Sequence, residues 1–272
     1  MKSRLLVAAV GIPLLLVILF ACPTIVTAVA VSLLSAIGAR EFTKTTGINQ
    51  NEGMILVTMA AAFLLPIWSY FGSPILVGAA GIVVLGLVLF AQALLAYPKV
   101  KFEGVAGCLF AALAIPMCLS SIVRIIVGEF GRHYVLVPIM IPFIADAGAY
   151  FAGKFLGKHK MAPVLSPHKT IEGAIGGLAA GVLSMVICGL VMQFGLHLTF
   201  HYGYAVLYGL LGSVVSIIGD LSFSMVKRET GIKDYGKIFP GHGGVWDRFD
   251  SITFAAPLFE LLYQHILPRI GG

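Results

Sequence analysis

Long stretches without a single charged residue dominate the chain. No Lys, Arg, Asp or Glu occurs from Leu5 to Ala39, from Gly53 to Pro98, or from Gly173 to Gly219. Each stretch is longer than the about 20 apolar residues that a membrane-spanning helix needs, and the longer two have room for more than one crossing. A backbone in lipid must satisfy its own hydrogen bonds, which favours helices. The pattern therefore predicts an all-α, polytopic helical membrane protein.

Breaks in the apolar pattern predict about nine transmembrane helices. Turn-forming and polar residues at 69–74 and 195–203 divide the two longest stretches. Lys2 and Arg4 ahead of the first crossing are also compatible with a signal peptide, but we expect an uncleaved first helix because more crossings follow. The predicted crossings lie near residues 5–21, 24–39, 54–70, 75–96, 104–123, 134–153, 171–195, 203–226 and 250–267.

The distribution of Lys and Arg predicts the orientation. If the N-terminus is cytoplasmic, 15 of the 18 Lys and Arg fall on the cytoplasmic side, and only Arg124, Arg132 and Arg269 fall on the other. The positive-inside rule favours this arrangement. Two of the cytoplasmic loops, 154–170 and 227–249, are long and rich in basic residues.

Composition narrows the class of protein further. The chain is 59% hydrophobic and only 11% charged, against about 25% charged residues in an ordinary soluble domain. A water-soluble globule is therefore excluded. The net charge of +6 fits the membrane topology and an anionic lipid or substrate, and we expect no nucleic-acid partner.

The acidic residues divide the chain into two parts. The acidic residues of the first half are all Glu, whereas every Asp lies in the second half. This predicts an N-terminal transmembrane scaffold, residues 1–133, and a C-terminal catalytic region, residues 134–272, that includes both basic loops. Asp146 and Asp220 lie eight and seven residues before a lysine, which places both roughly 10–12 Å below the cytoplasmic charge level.

Several buried carboxylates predict a divalent cation. Like charges close together cannot all stay ionised in a low-dielectric medium unless a cation joins them. Oxygen ligands without His or Cys favour Mg²⁺, or Mn²⁺, over Zn²⁺. The expected ligands are Asp220, Asp247 and Asp250, with Asp146 as a fourth candidate. In the alternative interpretation, each Asp forms an ion pair with a Lys or Arg of the basic loops.

The segment from Ser224 to Asp250 combines cations with glycines. Gly241, Gly243 and Gly244 can adopt positive φ and bring backbone N–H groups close to phosphate oxygens. Such an anion cradle beside carboxylates is the arrangement that phosphoryl and nucleotidyl transfer require. The cations are Lys227, Arg228, Lys233, Lys237 and Arg248.

This segment resembles the signature of the phosphatidate cytidylyltransferases, also called CDP-diglyceride synthases. The similarity is specific over about residues 140–250, and the overall length resembles the bacterial form. The residues that carry it are Ser224, Lys227-Arg228, Lys233-Asp234, Pro240, His242-Gly243-Gly244, Asp247-Arg248 and Asp250, together with Asp146-Ala147-Gly148-Ala149-Tyr150 and Ser166-Pro167-His168-Lys169-Thr170-Ile171-Glu172-Gly173.

The resemblance implies a reaction and its partners. CTP and phosphatidic acid would give CDP-diacylglycerol and pyrophosphate, with Mg²⁺ as cofactor, at the cytoplasmic face of a bacterial inner membrane. The expected partners are CTP, phosphatidic acid and membrane lipid, and a homodimer remains open. The expected catalytic residues are Asp220, Asp247, Lys169 and His242.

The remaining assignments concern the substrates. We expect the cations of the second loop, with Gly243 and Gly244, to bind the phosphates of CTP or pyrophosphate. In the first loop, Ser166, His168 and Lys169 lie just ahead of a helix, and Lys169 would receive the lipid phosphate. Alternatively, Ser166-Pro167 only starts that helix, and His242 is only a turn residue.

Two other functions fit parts of the pattern. A related CTP-dependent nucleotidyltransferase or kinase acting on an isoprenoid lipid would need the same metal and phosphate chemistry. An ion-coupled transporter would also use intramembrane carboxylates. Clustering of the acids near one membrane face and the information-rich loop favour the enzyme.

Overall fold

The structure is a computed structural model that describes residues 2–72, 75–128, 131–195, 197, 200–239, 241 and 243–266. Four of its helices run directly into π-helical turns, at Val17–Ala21, Glu41–Thr45, Phe110–Ala114 and Val191–Gly195. The elements are α1 (Lys2–Leu16), α2 (Thr24–Arg40), α3 (Glu52–Tyr70), α4 (Ile75–Leu95), α5 (Phe102–Leu109), α6 (Ile115–Val127), α7 (Gly131–Tyr134), α8 (Val137–Leu156), β1 (Lys160–Ala162), β2 (Ser166–Thr170), α9 (Ile171–Leu190), α10 (Tyr202–Glu229) and α11 (Trp246–Ile266).

The predicted polytopic helical architecture is confirmed. Each of the nine predicted crossings coincides with a helical segment. Within the described residues, seven segments are long and apolar enough to span a membrane, and Ala9–Ala21 is a shorter apolar helix. The last predicted crossing lies in α11. The orientation with a cytoplasmic N-terminus stays a prediction.

Helix α4 illustrates how apolar residues divide between core and surroundings. Leu85 and Leu89 are buried against Met54 of α3 and Cys108 of α5. Other apolar side chains of the same helix are exposed, including Leu95 at 89%. A helix that is apolar all round and only partly covered by protein is typical of a membrane span whose outer face contacts lipid.

The chain divides into two compact units. The first comprises Met1–Arg132 and Val226–Phe249, and the second comprises His133–Met225 and Asp250–Gly272. In the structure, the second basic loop groups with the N-terminal part of the chain. The division into a scaffold, residues 1–133, and a catalytic region, residues 134–272, stays a prediction.

Glycines bring α8 and α9 into close contact in the second unit. A Cβ atom added at Gly173 or Gly177 would lie 2.8 Å from the carbonyl oxygen of Ala149 or Ala145. Gly181, one turn further along α9, faces α10 in the same way. Only residues without side chains allow backbones to approach this closely. The three glycines therefore pack α9 on its neighbours, as their four-residue spacing suggests.

A short antiparallel hairpin precedes α9, and it corrects one expectation. Ser166 does not start the helix but opens strand β2, which pairs with β1. The residue before a proline is restricted to extended conformations, and Ser166 precedes Pro167. The N-cap of α9 is Thr170, whose side chain accepts a hydrogen bond from the Gly173 N–H at 3.1 Å. The interpretation of Ser166-Pro167 as a helix start is therefore wrong.

Candidate active site

A cavity of about 420 Å³ in the second unit collects predicted residues from three elements. Helix α8 contributes Asp146, Tyr150 and Lys154, which are spaced by four residues and so share one helix face. Strand β2 contributes His168 and Lys169. The full lining is Asp146, Ala149, Tyr150, Gly153, Lys154, Met161, His168, Lys169, Thr170, Gly173, Ala174, Ile217 and Asp220.

An ion pair between Lys169 and Asp220 lies in this cavity. The Lys169 Nζ atom contacts the Asp220 Oδ2 atom, and the two side chains are 22% and 27% exposed. The Ser224 hydroxyl, one helical turn after Asp220, donates to its Oδ1 atom at 3.4 Å. The ion pair of Asp220 with Lys169 therefore agrees with the alternative interpretation of the sequence, in which each Asp pairs with a Lys or Arg of the basic loops. The pair joins β2 to α10.

Asp146 and Lys154 add opposite charges to the same cavity. The Asp146 carboxylate is exposed, and the Lys154 Nζ atom lies 5.9 Å from the centre of the Tyr150 ring, a cation–π distance. The cavity therefore holds two carboxylates and two ammonium groups beside the exposed imidazole of His168. This chemistry suits a phosphate group together with a cation.

A second cluster, in the first unit, is built around Asp247. Its side chain is only 4% exposed and accepts a hydrogen bond from Lys227 Nζ at 3.0 Å. Its other oxygen accepts from the backbone N–H groups of Tyr235 and Gly244, at 2.8 and 2.9 Å. Lys227 also lies 5.6 Å from the centre of the Tyr235 ring. Asp247 thus holds two points of the 226–249 segment together.

Glycine is required next to Asp247. Gly243 has φ of +86°, and a Cβ atom there would lie 2.5 Å from Asp247 Oδ2. The predicted role of Gly243 and Gly244 was to present N–H groups to phosphate. In the structure, the Gly244 N–H group donates to Asp247 instead. Their assignment as substrate-binding residues stays a prediction.

The remaining predicted residues occupy several environments. Asp250 is buried in the second unit, where its Oδ1 atom accepts from the N–H and hydroxyl of Ser251. Ser166 is half-buried in β2. His242 lies outside the described residues. The side chains that are exposed, as anion-binding groups need to be, are Arg228, Lys233, Lys237 and Arg248.

The residues of the cavity fit a magnesium ion in part. Across the described part of the chain, no group of three or more His, Cys, Asp and Glu side chains is arranged to hold a metal. Mg²⁺ commonly keeps several waters and is held by one or two carboxylates together with substrate phosphates. Asp146 and Asp220, two oxygen donors lining one cavity, match that requirement. Asp247 and Asp250 remain predicted ligands.

Sequence reasoning missed Glu41, which belongs to the Asp247 cluster of the first unit. This carboxylate is 7% exposed and accepts a hydrogen bond from the Val245 N–H group at 2.6 Å. The sequence analysis assigned all acids of the first half to a scaffold because they lie near predicted loops. The one signal was its position: Glu41 is the second residue after a charge-free stretch, and Gly38 precedes it by three residues.

Comparison with known proteins agrees with the resemblance of the motifs. The model of a family described as the cytidylyltransferase family matches residues 2–266. The chain is 38% identical over 161 residues to the phosphatidate cytidylyltransferases of Staphylococcus aureus and Staphylococcus haemolyticus, which covers 56% of this chain and 60% of each relative. The phosphatidate cytidylyltransferase of Staphylococcus saprophyticus is 36% identical over 165 residues, 58% of this chain and 62% of the relative.

The alignments thus span about three fifths of the curated relatives, whereas the family match extends over nearly the whole chain. A match of that extent does not depend on the loop motifs alone. The protein belongs to the cytidylyltransferase family.

Proposed function

We propose that this protein is a phosphatidate cytidylyltransferase that converts CTP and phosphatidic acid to CDP-diacylglycerol and pyrophosphate. The observation that carries the proposal is the cavity of the second unit, in a chain of this family. It combines the carboxylates of Asp146 and Asp220 with the ammonium groups of Lys154 and Lys169. An anionic headgroup and a metal-bound phosphate need these groups side by side.

The proposed reaction is one in-line displacement. A phosphate oxygen of phosphatidic acid attacks the α-phosphorus of CTP, and the bond between that phosphorus and the bridging oxygen to the β-phosphate breaks. The electron pair leaves with pyrophosphate, so no covalent enzyme intermediate is needed. Lys169 neutralises the attacking lipid phosphate and orients it. The exposed cations Arg228, Lys233 and Lys237 bind the phosphates of CTP and the departing pyrophosphate.

Asp146 and Asp220 are the residues that would hold Mg²⁺, with Asp247 and Asp250 as further candidates from the sequence. When bound, Mg²⁺ withdraws negative charge from phosphate oxygens and so stabilises the charge that develops during transfer. The Lys169 ammonium already contacts Asp220. It therefore holds that carboxylate in the cavity.

The proposed location is a bacterial cytoplasmic membrane, with the active site on the cytoplasmic side. The asymmetry of Lys and Arg along the chain supports this orientation. CTP would reach such a site from the cytosol, while acyl chains keep phosphatidic acid in the membrane.

The direct test is an assay of the purified full-length protein in detergent micelles. We expect CDP-diacylglycerol and pyrophosphate to form in equal amounts from CTP and phosphatidic acid, and EDTA to stop the reaction until excess Mg²⁺ is added. An isoprenoid alcohol and an isoprenoid phosphate serve as alternative acceptors. Transfer to either of these, with none to phosphatidic acid, would contradict the proposal, as would full activity in EDTA.

A variant of Lys169 should separate the two substrates. Replacing Lys169 with Met removes the ammonium group but keeps much of the side-chain volume, so we expect KM for phosphatidic acid to rise roughly tenfold or more. KM for CTP should change much less. Lys160, an exposed lysine of the same hairpin that does not line the cavity, gives a matched Lys160→Met control. A rise confined to KM for CTP would contradict the assigned role.

A further inference from the structure

We infer that Glu41, in the N-terminal half of the chain, is a positioning residue for the 226–249 segment and thereby sets the affinity for CTP. The inference rests on the proposed function, since that segment carries the cations assigned to the CTP phosphates. It assigns a role in substrate binding to a helix that the sequence analysis treated as scaffold.

The Glu41 carboxylate lies inside the folded segment. Its Oε2 atom accepts the Val245 N–H group at 2.6 Å. A Cβ atom at Gly236 would lie 2.5 Å from the Glu41 Cδ atom, and one at Gly244 would lie 2.5 Å from Oε2 and 2.6 Å from Oε1. The carboxylate therefore lies against two glycines of the segment, Gly236 and Gly244. Its Oε1 atom is buried and has no hydrogen-bond partner among the described residues.

The neighbours of Glu41 on the same helical face contact the same segment. Glu41 and Phe42 lie three and four residues after Gly38, spacings that place each of them next to Gly38 on the helix surface. The Trp246 indole N–H group donates to the Gly38 carbonyl oxygen at 2.6 Å. The ring of Phe42 stacks on that of Tyr235, with centroids 6.2 Å apart. We call Gly38, Glu41 and Phe42 the docking face.

The docking face acts on the binding groups through shared residues. Tyr235, which stacks on Phe42, donates its N–H to Asp247 and offers its ring to the Lys227 ammonium. Val245, which donates to Glu41, adjoins Gly244, whose N–H also donates to Asp247. Moving the carboxylate therefore displaces both backbone groups that hold Asp247. The same displacement changes where the cations of the segment present their charges.

Val245 is fully buried, so its backbone N–H group needs an acceptor within the fold. The geometry requires an acceptor oxygen that reaches the Val245 N–H group between two glycines. Gln keeps an acceptor oxygen at that distance, whereas Ala removes it. Glu41→Gln therefore tests whether the charge is needed, and Glu41→Ala removes the acceptor oxygen together with the bulk of the side chain.

Two readouts test the inference. In Glu41→Ala we expect KM for CTP to rise roughly ten- to a hundredfold, the effect of losing one charge-assisted hydrogen bond, with KM for phosphatidic acid within about twofold. Glu41→Gln should recover most of the CTP affinity. The control is Glu52→Ala, which removes an exposed carboxylate of the same unit that pairs with Lys44, and it should leave both KM values unchanged.

Fluorescence gives a second measurement that needs no enzymatic activity. The protein has two Trp residues, so a Trp68→Phe background leaves Trp246, which is fully buried, as the only Trp residue. Glu41→Ala should shift its emission to longer wavelength and increase quenching by acrylamide, whereas Glu41→Gln and Glu52→Ala should not. If the parent protein makes no CDP-diacylglycerol, this readout still decides whether Glu41 positions the segment, and only the proposed function fails.

Some outcomes would overturn the inference. Unchanged CTP affinity in Glu41→Ala would do so, as would equal rises in both KM values or an unaltered Trp246 spectrum. If Glu41→Ala does not fold, Gly236→Ala tests the same contact from the opposite side, because its Cβ atom would overlap the carboxylate. We expect the same selective rise in KM for CTP, and normal CTP affinity in that variant would contradict the positioning role.

Discussion

Replacing Asp220 with Asn is expected to lower cytidylyl transfer by at least about a thousandfold, because the site would lose a carboxylate assigned to Mg²⁺ and several kcal/mol of transition-state stabilisation. The substitution keeps the size of the side chain and its ability to accept a hydrogen bond from Ser224. The change also leaves the partly buried Lys169 ammonium without its ionised partner. Initial rates should be measured over a series of Mg²⁺ concentrations.

The Mg²⁺ series distinguishes two roles of Asp220. If the carboxylate holds the ion, the residual activity of Asp220→Asn should need much more Mg²⁺ than the parent protein. If it only neutralises Lys169, the double variant Asp220→Asn, Lys169→Met should be more active than the single variant. Glu229→Gln, an exposed acid further along α10, is the control. Near-parental rates in Asp220→Asn would remove the assignment altogether.

Asp247→Asn is expected to abolish transfer and also to destabilise the first unit. The Asp247 carboxylate accepts hydrogen bonds from Lys227 and from two backbone N–H groups, and an amide would turn a donor toward one of these donors. Removing one partner of a buried ion pair typically costs about 3–5 kcal/mol of unfolding free energy. Denaturant unfolding in detergent, followed by fluorescence, measures this loss beside the activity assay.

A double-mutant cycle separates stability from catalysis at the same pair. Lys227→Met should be about as destabilising as Asp247→Asn, since each leaves one buried charge alone. Asp247→Asn combined with Lys227→Met should recover part of the stability and none of the activity. Asp234→Asn, an exposed acid of the same loop, should leave unfolding unchanged. Full stability in either single variant would show that the pair does not hold the loop.

The shared position of Asp146 and Lys154 was readable from their spacing. A charge eight residues along a helix from Asp146 predicted its depth, and the structure has Asp146 and Lys154 on one face of α8, lining one cavity. The packing role of the glycines in α9 was also readable, because glycines spaced by four residues lie on one face of a helix and allow a neighbouring helix to approach closely. Such features depend on local helix geometry, which sequence spacing determines directly.

Pairing between distant residues was not readable in this way. The choice of Lys169 as the partner of Asp220, the capping of α9 by Thr170 instead of Ser166, and the contact of Glu41 with Val245 204 positions away all depend on how chain segments fold back. For each of these contacts, the sequence offered several residues of the same type that could have been the partner. For Glu41, proximity to a predicted loop suggested a scaffold residue, but the 226–249 segment of the first unit buries its carboxylate.

The sequence by itself determined the class of fold and the positions of the long apolar helices, because hydrophobic length is a local property. It also gave the candidate residues for binding metal and phosphate, because side-chain chemistry is local too. Only the tertiary structure decided which carboxylates share a cavity, which are engaged by lysines, and which residue of the N-terminal half holds the second loop. Those outcomes depend on long-range packing and on hydrogen bonds that buried groups must find within the fold.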